Sequence, residues 1–435
     1  MSAPPVEGFA KRVLMVAFHF PPQRGSSGIQ RTLKFAQLLP ASGWQPLVLS
    51  AHPRAYDATS DDQLKDIAPN TVVRRAFALN TRRHISWRGR YLGFMAVPDR
   101  WISWWLGAVP AGLGLLRRYR PDVIWSTYPI ASAHLIGMTL SRLSGVPWVA
   151  DMRDPMADEV YPAPGLVRRA HCWIEAQTVQ RAAAVVCTTP GAVALYRARY
   201  PQLPPTRFRL IENAYDEEQF VAAQTRLAAR VCAPKKALQT APLRLLHSGV
   251  VYPLERDPRA LFTAVATLKK NGAIDSARVR IILRASGHDE EMRALIAHHG
   301  IGTIVSLAPP LPYGAALEEM LEADGLLILQ AANCNQQVPA KLYEYMRARR
   351  PVLALTDAAG DTSATLRAAG IDNIAALDDA AAIATALLRF VKQIETHTAP
   401  LASDATIGLH ARTVRAQALA ALLDEVSARR RATSR

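Results

Sequence analysis

Short apolar runs alternate with helical patterns along most of the chain. The first strand-like run covers 12–18, a loop rich in proline, glycine and serine covers 21–28, and a helical pattern begins near Ile29. In that pattern apolar residues recur every three or four positions, so they share one helical face. A second apolar run follows at 46–51. Because a strand, a helix and a strand in this order form a βαβ unit, the opening predicts a parallel sheet.

The alternation continues in two series. In the first, strands are predicted at 121–127, 146–154 and 183–189, and helices at 131–145, 166–182 and 190–200. In the second, strands are predicted at 243–249, 279–287, 304–311, 326–332 and 351–356, and helices at 257–272, 289–300, 315–325, 341–350, 380–395 and 403–430. Two such series predict an α/β protein with two Rossmann-like, doubly wound domains facing a central cleft.

The predicted domain limits follow from where the pattern weakens. The first domain covers 1–210, with a basic and aromatic insertion at about 80–120, and the second covers 211–400. The stretch 221–242 is weakly patterned and suggests an insertion or a helix and loop. Residues 401–435 form a C-terminal helix with a basic tail, which we expect to fray.

Composition and charge place the chain among cytoplasmic proteins that bind anions. The net charge is +16, and residues 1–205 carry +12 of it (24 Lys and Arg, 12 Asp and Glu). The four cysteines show neither C-x-x-C nor zinc spacing, so we expect reduced thiols. The apolar run Val13–Phe20 is short and lacks a cleavage site, which excludes a signal peptide. A positive field attracts nucleotides, phospholipids or nucleic acid.

In the first domain, candidate residues follow predicted strands. Gly25 and Gly28 lie in a loop that runs into a helix, where a diphosphate or a transferred sugar could bind; the alternative is a flexible turn. The loop lacks G-x-G-x-x-G spacing, which disfavours a dinucleotide site. After the strand at 146–150, Asp154 is placed to bind hydroxyls and Arg153 a phosphate. The alternative is a local ion pair with a turn before the next proline.

In the second domain, Gly249 and Arg256 follow the first strand and Gly287 follows the next. Glycine permits close backbone approach, and arginine offers a planar fork to a diphosphate. The alternative is a solvated loop in which Asp257 caps a helix that starts at Pro258.

The segment 336–345 is the strongest local pattern. It lies between two strands and contains Lys341 and Glu344 on one helical face. A carboxylate can accept both ribose hydroxyls, and a lysine can neutralise a phosphate. The alternative is an exposed salt bridge.

Five motifs together resemble glycosyltransferases of family 4, which have the GT-B fold. They are the P-x-K-x-x-E-Y run at 339–345, the opening strand, glycine loop and helix, WVADMRDP at 148–155, LIENAYD at 210–216 and HSGVVYPLERDP at 247–258. The resemblance covers nearly the whole chain and keeps the family's order.

The resemblance implies a nucleotide-sugar donor held mainly by the second domain. Glu344 would hold the ribose, Arg256 and Lys341 would face the diphosphate without a metal ion or other cofactor, and Asp154 would complete the catalytic set. The remaining donor contacts would be Gly25, Gly28, Gly249, Gly287, Gln336, Gln337, Pro339 and Leu342. The acceptor would be lipid-linked or a polysaccharide precursor, bound by the first domain, and transfer would retain the anomeric configuration.

The chain departs from the family pattern at three places. Gln336 stands where a glutamate often touches the donor sugar, and Ala214 replaces the hinge glycine. A histidine common after the strand at 121–127 is absent, and we expect His134 to be a helix residue rather than its substitute.

The stretch 80–120 combines arginines with tryptophans. Trp101, Trp104, Trp105, Arg117 and Arg118 predict an interfacial element on the acceptor side, docking on the anionic inner face of the cell membrane. The apolar run 101–116 is too short to span a bilayer. One alternative is a core helix with a basic flank; nucleic-acid binding gains no support from the rest of the chain.

Two other functions remain open. A nucleotide-sugar epimerase can share this architecture and would need carboxylates to eliminate the nucleotide, for which Asp151 and Asp154 are the candidates. A degenerate, non-catalytic scaffold would fit the replacements at Gln336 and Ala214.

Overall fold

The computed structural model describes residues 11–24, 28–69, 71–88, 90–158, 161–230 and 241–433. The chain forms two compact units. Unit 1 comprises Met1–Glu212 together with Arg412–Arg435, and unit 2 comprises Asn213–Ala411.

Unit 1 is built on a seven-stranded parallel sheet with the order β3-β2-β1-β4-β5-β6-β7. The strands are β1 (Lys11–Val16), β2 (Trp44–Ala51), β3 (Val72–Ala76), β4 (Val123–Thr127), β5 (Trp148–Arg153), β6 (Ala184–Cys187) and β7 (Phe208–Leu210). All eight residues of β2 are buried, because helices cover both faces of a doubly wound sheet.

Four of the described helices of unit 1 follow the predicted alternation, and two more lie in the basic and aromatic stretch 80–120. They are α1 (Gly28–Leu38), α2 (Thr81–His84), α3 (Ser103–Tyr119), α4 (Ala131–Ser144), α5 (Leu166–Arg181) and α6 (Pro190–Arg199). Pro190 begins α6 and Gly145 ends α4 in a left-handed conformation, as helix-terminus chemistry favours.

Unit 2 contains a six-stranded parallel sheet with the order β10-β9-β8-β11-β12-β13. Its strands are β8 (Leu243–Ser248), β9 (Val279–Arg284), β10 (Val305–Ala308), β11 (Gly325–Leu329), β12 (Val352–Leu355) and β13 (Ile374–Ala375). Its helices are α7 (Glu217–Arg230), α8 (Arg259–Lys270), α9 (Asp289–His298), α10 (Tyr313–Glu322), α11 (Ala340–Arg347), α12 (Asp361–Ala368), α13 (Ala380–Glu395) and α14 (Asp404–Leu409). The prediction of two Rossmann-like α/β domains is confirmed. That they face a central cleft stays a prediction.

The end of the chain differs from the expectation of a frayed tail. Helix α15 (Arg412–Thr433) begins where α14 has ended, so the single predicted helix at 403–430 is two helices. Its apolar side, including Leu419, Leu423 and Val426, packs into the core of unit 1 with Val13 and Val48. The apolar spacing of α15 therefore serves the first unit, although it comes last in the chain.

The tryptophans predicted to meet a membrane lie in or against the core of unit 1. Trp104 is fully buried, and Trp101 and Trp105 are partly buried against the same core. The indole nitrogen of Trp101 donates to Ala55 O at 3.0 Å, and that of Trp105 donates to Thr139 Oγ1 at 3.1 Å. The prediction was wrong for these side chains, because apolar composition alone does not separate a core helix from an interfacial one. Arg117 and Arg118 lie in the last turn of α3 and form the exposed basic flank of this core helix.

Candidate functional site

The main candidate site of unit 2 lies at the topological switch point of its sheet. The strand order reverses between β8 and β11, and ligands of doubly wound sheets bind beyond the carboxyl ends of the strands at such a point. The residues after β8 and the first turn of α11 meet there. The sequence predicted Gly249, Arg256, Lys341 and Glu344 as parts of one site. In the structure Lys341 lies beside Gly249 and interacts electrostatically with Arg256 and Glu344.

His247 and Lys341 form the centre of this site. His247 is buried, and its Nδ1 lies 2.9 Å from Leu327 O, which can only accept, so Nδ1 carries the hydrogen. Its Nε2 then accepts from the Lys341 ammonium at 3.2 Å. Burial and the positive charge of Lys341 hold the pKa of His247 well below its usual range, which keeps the imidazole neutral.

Gly249 makes room for the lysine. A Cβ atom at this position would lie 2.9 Å from Lys341 Nζ, and the backbone φ of +119° is one that side-chain-bearing residues rarely adopt. The Gly249 amide donates to Arg284 O at 2.8 Å. The space that the missing Cβ of Gly249 leaves is therefore occupied by the side chain of Lys341.

Arg256 adds a second cation. Its Nη1 donates to Val250 O at 2.6 Å, and its guanidinium lies 5.2 Å from the centre of the Tyr252 ring. Burial and the charge of Arg256 lower the pKa of Lys341 well below its usual value, while Glu344 raises it. Two neighbouring cations that repel each other are an arrangement that an anion would stabilise.

Glu344 lies one helical turn from Lys341 on α11 and is partly exposed. Its Oε1 accepts from the Tyr313 hydroxyl of α10 at 2.8 Å. The hydrogen bond orients the carboxylate, and the partial exposure of Glu344 leaves it accessible from solvent. That Glu344 holds the donor ribose stays a prediction.

The loop before α11 is fixed by its backbone. Gln337 O accepts from the buried amide of Gln330 at 2.9 Å and from Thr362 Oγ1 at 3.2 Å, and Pro339 directly precedes the helix. The side chain of Gln336 is exposed. The prediction that Leu342 contacts the donor is corrected by the structure. Its side chain is completely buried in the core of unit 2, because it lies on the apolar face of α11.

Gly287 borders the same loop region. Its φ is +88°, and a Cβ there would lie 3.1 Å from Val250 Cγ1. The carbonyl oxygen of Val250 accepts the hydrogen bond from Arg256. Gly287 therefore permits the close packing of two loops, which supports Arg256 indirectly.

Unit 1 has a second group of polar residues at its own switch point, between β1 and β4. A small cavity there is lined by Phe18, His19, Gly28, Thr127, Tyr128, Pro129, Ile130 and Arg153. Gly28 is the first residue of α1. Gly25 lies outside the described residues.

Asp151 is the best-bonded carboxylate of this group. It is fully buried, and its two oxygens accept from Arg31 Nε at 2.9 Å and Arg31 Nη2 at 2.7 Å, with Thr127 Oγ1 at 2.8 Å as a third donor. The same arginine donates to Ile211 O and Glu212 O. The alternative interpretation of the sequence was a local ion pair within the 151–154 segment, whereas the observed partner of Asp151 comes from α1.

Arg153 and Asp154 follow at the end of β5. Arg153 has a φ of +58°, its carbonyl accepts from Thr188 Oγ1 at 2.8 Å, and its buried Nε has no hydrogen-bond partner among the described residues. Burial raises the pKa of Asp154, and the charge of Arg153 lowers it. Burial and Arg153 also lower the pKa of His19 to about 3, so this histidine is neutral at pH 7.

Several contacts of the site gave no recognisable signal in the sequence. His247 precedes the glycine loop, but its contact with Lys341 spans 94 positions. Tyr313 and Arg31 are likewise joined to their carboxylates only by folding. His134 is a buried residue of α4, as expected, and its Nδ1 lies 2.7 Å from Ser126 Oγ.

Among the described residues, no three or more His, Cys, Asp or Glu side chains come together in a way that would hold a metal ion. No helix in that part of the chain has the length and apolar character needed to cross a bilayer. That catalysis needs no metal stays a prediction.

Comparison with known proteins agrees with the two-unit fold. Residues 27–214 match the family model described as a glycosyl transferase 4-like domain. No curated protein sequence matches significantly. The chain is similar to sucrose-phosphate synthase from Thermosynechococcus elongatus, with a TM-score of 0.65 and 15% identity over 97% of this chain and 100% of that one.

Two further structures have the same architecture. The Anabaena protein HepE in complex with UDP-glucose has a TM-score of 0.59 and 14% identity, covering 97% of this chain and 98% of that one. The UDP-GlcNAc 2-epimerase of Neisseria meningitidis has a TM-score of 0.55 and 10% identity, covering 95% and 100%. The predicted resemblance to family 4 glycosyltransferases with the GT-B fold is thus confirmed, while identities this low establish the fold alone.

Proposed function

We propose that the protein is a glycosyltransferase that moves a sugar from a nucleotide-sugar donor to an acceptor hydroxyl. The observation that carries this proposal is the convergence of Lys341, Arg256 and Glu344 at the switch point of unit 2. The match of residues 27–214 to a glycosyl transferase 4-like domain supports it, as does the UDP-glucose bound by a protein of the same fold.

In this proposal the two cations bind the donor diphosphate. As the bond from the anomeric carbon to the diphosphate oxygen breaks, negative charge grows on the leaving group, and Lys341 and Arg256 stabilise it without a metal ion. A new bond forms between the anomeric carbon and the acceptor oxygen, and the proton of that hydroxyl passes to the departing diphosphate. Glu344 accepts the ribose hydroxyls, and Gln336 and Gln337 are near the sugar.

The acceptor is assigned to unit 1. Asp154 accepts from an acceptor hydroxyl, and Arg153, whose Nε has no hydrogen-bond partner in the part of the chain that the structure describes, provides a charge for an anionic acceptor group. We propose a lipid-linked acceptor or a polysaccharide precursor at the inner face of the cell membrane, with retention of the anomeric configuration.

The epimerase alternative loses its better carboxylate. An eliminating enzyme needs an acidic or basic group that can exchange protons with the substrate, and Asp151 is fully buried with both oxygens bonded to Arg31. Only Asp154 would remain. The structure therefore favours transfer over epimerisation.

Titration calorimetry with UDP tests the donor site. Glu344→Ala should weaken UDP binding by about tenfold to a hundredfold, since it removes two charge-assisted hydrogen bonds. The matched control is Glu290→Ala, an exposed carboxylate of α9 in the same unit, which should bind UDP normally. Equal affinity of both variants would refute the assigned site.

A second assay separates the activities. The protein is incubated with a panel of labelled nucleotide sugars and a crude lipid extract. Label in the lipid fraction supports transfer, an interconverted nucleotide sugar supports epimerisation, and neither product without UDP binding supports a scaffold.

A further inference from the structure

Residues 82–88 and 90–94 comprise the end of the short helix α2 and the exposed segment after it, together here called the arginine loop. Its two ends are tied together: Thr81 N donates to Arg100 O at 2.8 Å, and Thr81 Oγ1 donates to Met95 O at 3.0 Å. Thr81 itself is buried. The chain therefore leaves the body of the unit after Thr81 and returns to it at Met95.

The arginine loop exposes large apolar side chains. Trp87 is 79% exposed, Phe94 64% and Leu92 63%, and Ile85 and Tyr91 are exposed to a lesser degree. Isolated exposed leucines are ordinary, but five large apolar residues within ten positions form an unpartnered patch that usually marks a contact surface.

The same loop has only one sign of charge. Arg82, Arg83, Arg88 and Arg90 are exposed, and residues 82–94 contain no aspartate or glutamate. None of the ion pairs formed by the described residues involves Arg82, Arg88 or Arg90. The described carboxylates thus leave the guanidinium groups of Arg82, Arg88 and Arg90 without a paired negative charge.

The local backbone presents aromatic and basic groups side by side. Trp87 N donates to Arg90 O at 2.8 Å, and Arg90 N donates to Trp87 O at 2.9 Å, so the chain reverses between them. Arg88 lies in this reversal with a φ of +50°. The indole and the guanidinium groups therefore share one end of the loop.

We propose that the arginine loop docks unit 1 on an anionic lipid bilayer. Trp87, Leu92 and Phe94 enter the interfacial layer, where an indole can keep its N–H hydrated, and the arginines bind lipid phosphates. Charge complementarity selects this partner, because a bilayer offers many phosphates at no fixed position and an apolar layer directly beneath them. The membrane contact is therefore assigned to the arginine loop and no longer to Trp104, which is buried. The inference rests on the proposed function only for its purpose, which is to bring a lipid-linked acceptor to the enzyme.

Co-sedimentation of the full chain with vesicles tests this surface. We expect binding to vesicles of phosphatidylglycerol and phosphatidylcholine, and little binding to phosphatidylcholine alone. The combined variant Trp87→Ser, Leu92→Ser and Phe94→Ser should lower the partition coefficient by at least about tenfold, since it removes most of the inserted apolar area.

Matched controls keep exposure and charge constant. Trp173→Ser, Leu143→Ser and Leu409→Ser remove side chains that are 54%, 60% and 63% exposed elsewhere, and this variant should bind vesicles like the unmodified protein. A charge variant with Arg82, Arg88 and Arg90 changed to Gln should lose binding to anionic vesicles. Its control changes the exposed Arg142, Arg181 and Arg280 to Gln, which gives the same net charge and should retain binding.

Three results would overturn the proposal: no binding to anionic vesicles, equal binding by the apolar variant and its control, or binding to single-stranded oligonucleotides that the apolar variant loses while vesicle binding stays unchanged. UDP titration of the same variants separates this inference from the proposed function. If the apolar variant binds both UDP and vesicles like the unmodified protein, only the docking surface is refuted. If the unmodified protein binds vesicles but not UDP, only the donor site is refuted.

Discussion

Lys341 Nζ lies 3.2 Å from Nε2 of His247, and the imidazole is held in place by its other nitrogen, which donates to Leu327 O. The neutral ring thus gives the lysine an acceptor at one fixed position. Burial and the charge of Arg256 lower the pKa of Lys341 and Glu344 raises it, while the contact with His247 fixes the position of the ammonium group.

Replacing His247 tests its role in positioning the lysine. His247→Asn keeps a donor near the Nδ1 position for Leu327 O but removes the acceptor for Lys341. We expect UDP affinity to fall about tenfold, in line with a lost hydrogen bond to a charged group. His247→Gln, which keeps an acceptor near the Nε2 position, should lose less. Calorimetry measures both, and equal losses would mean that the ring acts only through packing.

The affinity for UDP should depend on pH through Lys341. The groups that face its ammonium are His247, Arg256 and Glu344, and the pKa of Lys341 is lowered mainly by burial. A diphosphate favours the protonated lysine, so affinity is highest below this pKa and decreases as pH rises through it. The decrease should begin well below the pH at which an ordinary lysine titrates. In Lys341→Met, affinity should be lower and nearly constant across that range; a preserved pH profile would exclude Lys341 as its source.

Gly249→Ala should displace the lysine. The new Cβ would meet Nζ at 2.9 Å in a backbone conformation that alanine rarely adopts, so we expect UDP affinity to fall about tenfold. Gly370→Ala is the matched control, because Gly370 also has a positive φ, of +78°, but open space around its Cβ position. Both variants should lose similar stability, and only the first should lose affinity.

Breaking the buried pair of Arg31 and Asp151 should strongly destabilise unit 1. Arg31→Met leaves a buried carboxylate without its ion-pair partner, which costs about 3–5 kcal/mol, and adding Asp151→Leu should recover much of that loss. Urea unfolding followed by tryptophan fluorescence measures it selectively, because all eight tryptophans lie in the sequence of unit 1. A double variant as unstable as Arg31→Met would show that the loss has another cause.

The alternation of apolar runs and helical patterns determined the two parallel sheets, because the period of apolar residues is a local property of each element. The same spacing placed Lys341 and Glu344 on one face of α11, and the position after a strand indicated the switch-point loops. These features require no knowledge of what packs against them.

Tertiary structure decided the partners. The contacts of His247 with Lys341 and of Arg31 with Asp151 span 94 and 120 positions, and only the order of strands in each sheet brings these residues together. The same holds for the tryptophans: Trp104 is buried by neighbouring elements, whereas Trp87 projects from a loop that no described element covers. Both side chains are apolar beside arginines in the sequence, and burial depends on packing between distant segments, which a local pattern does not encode.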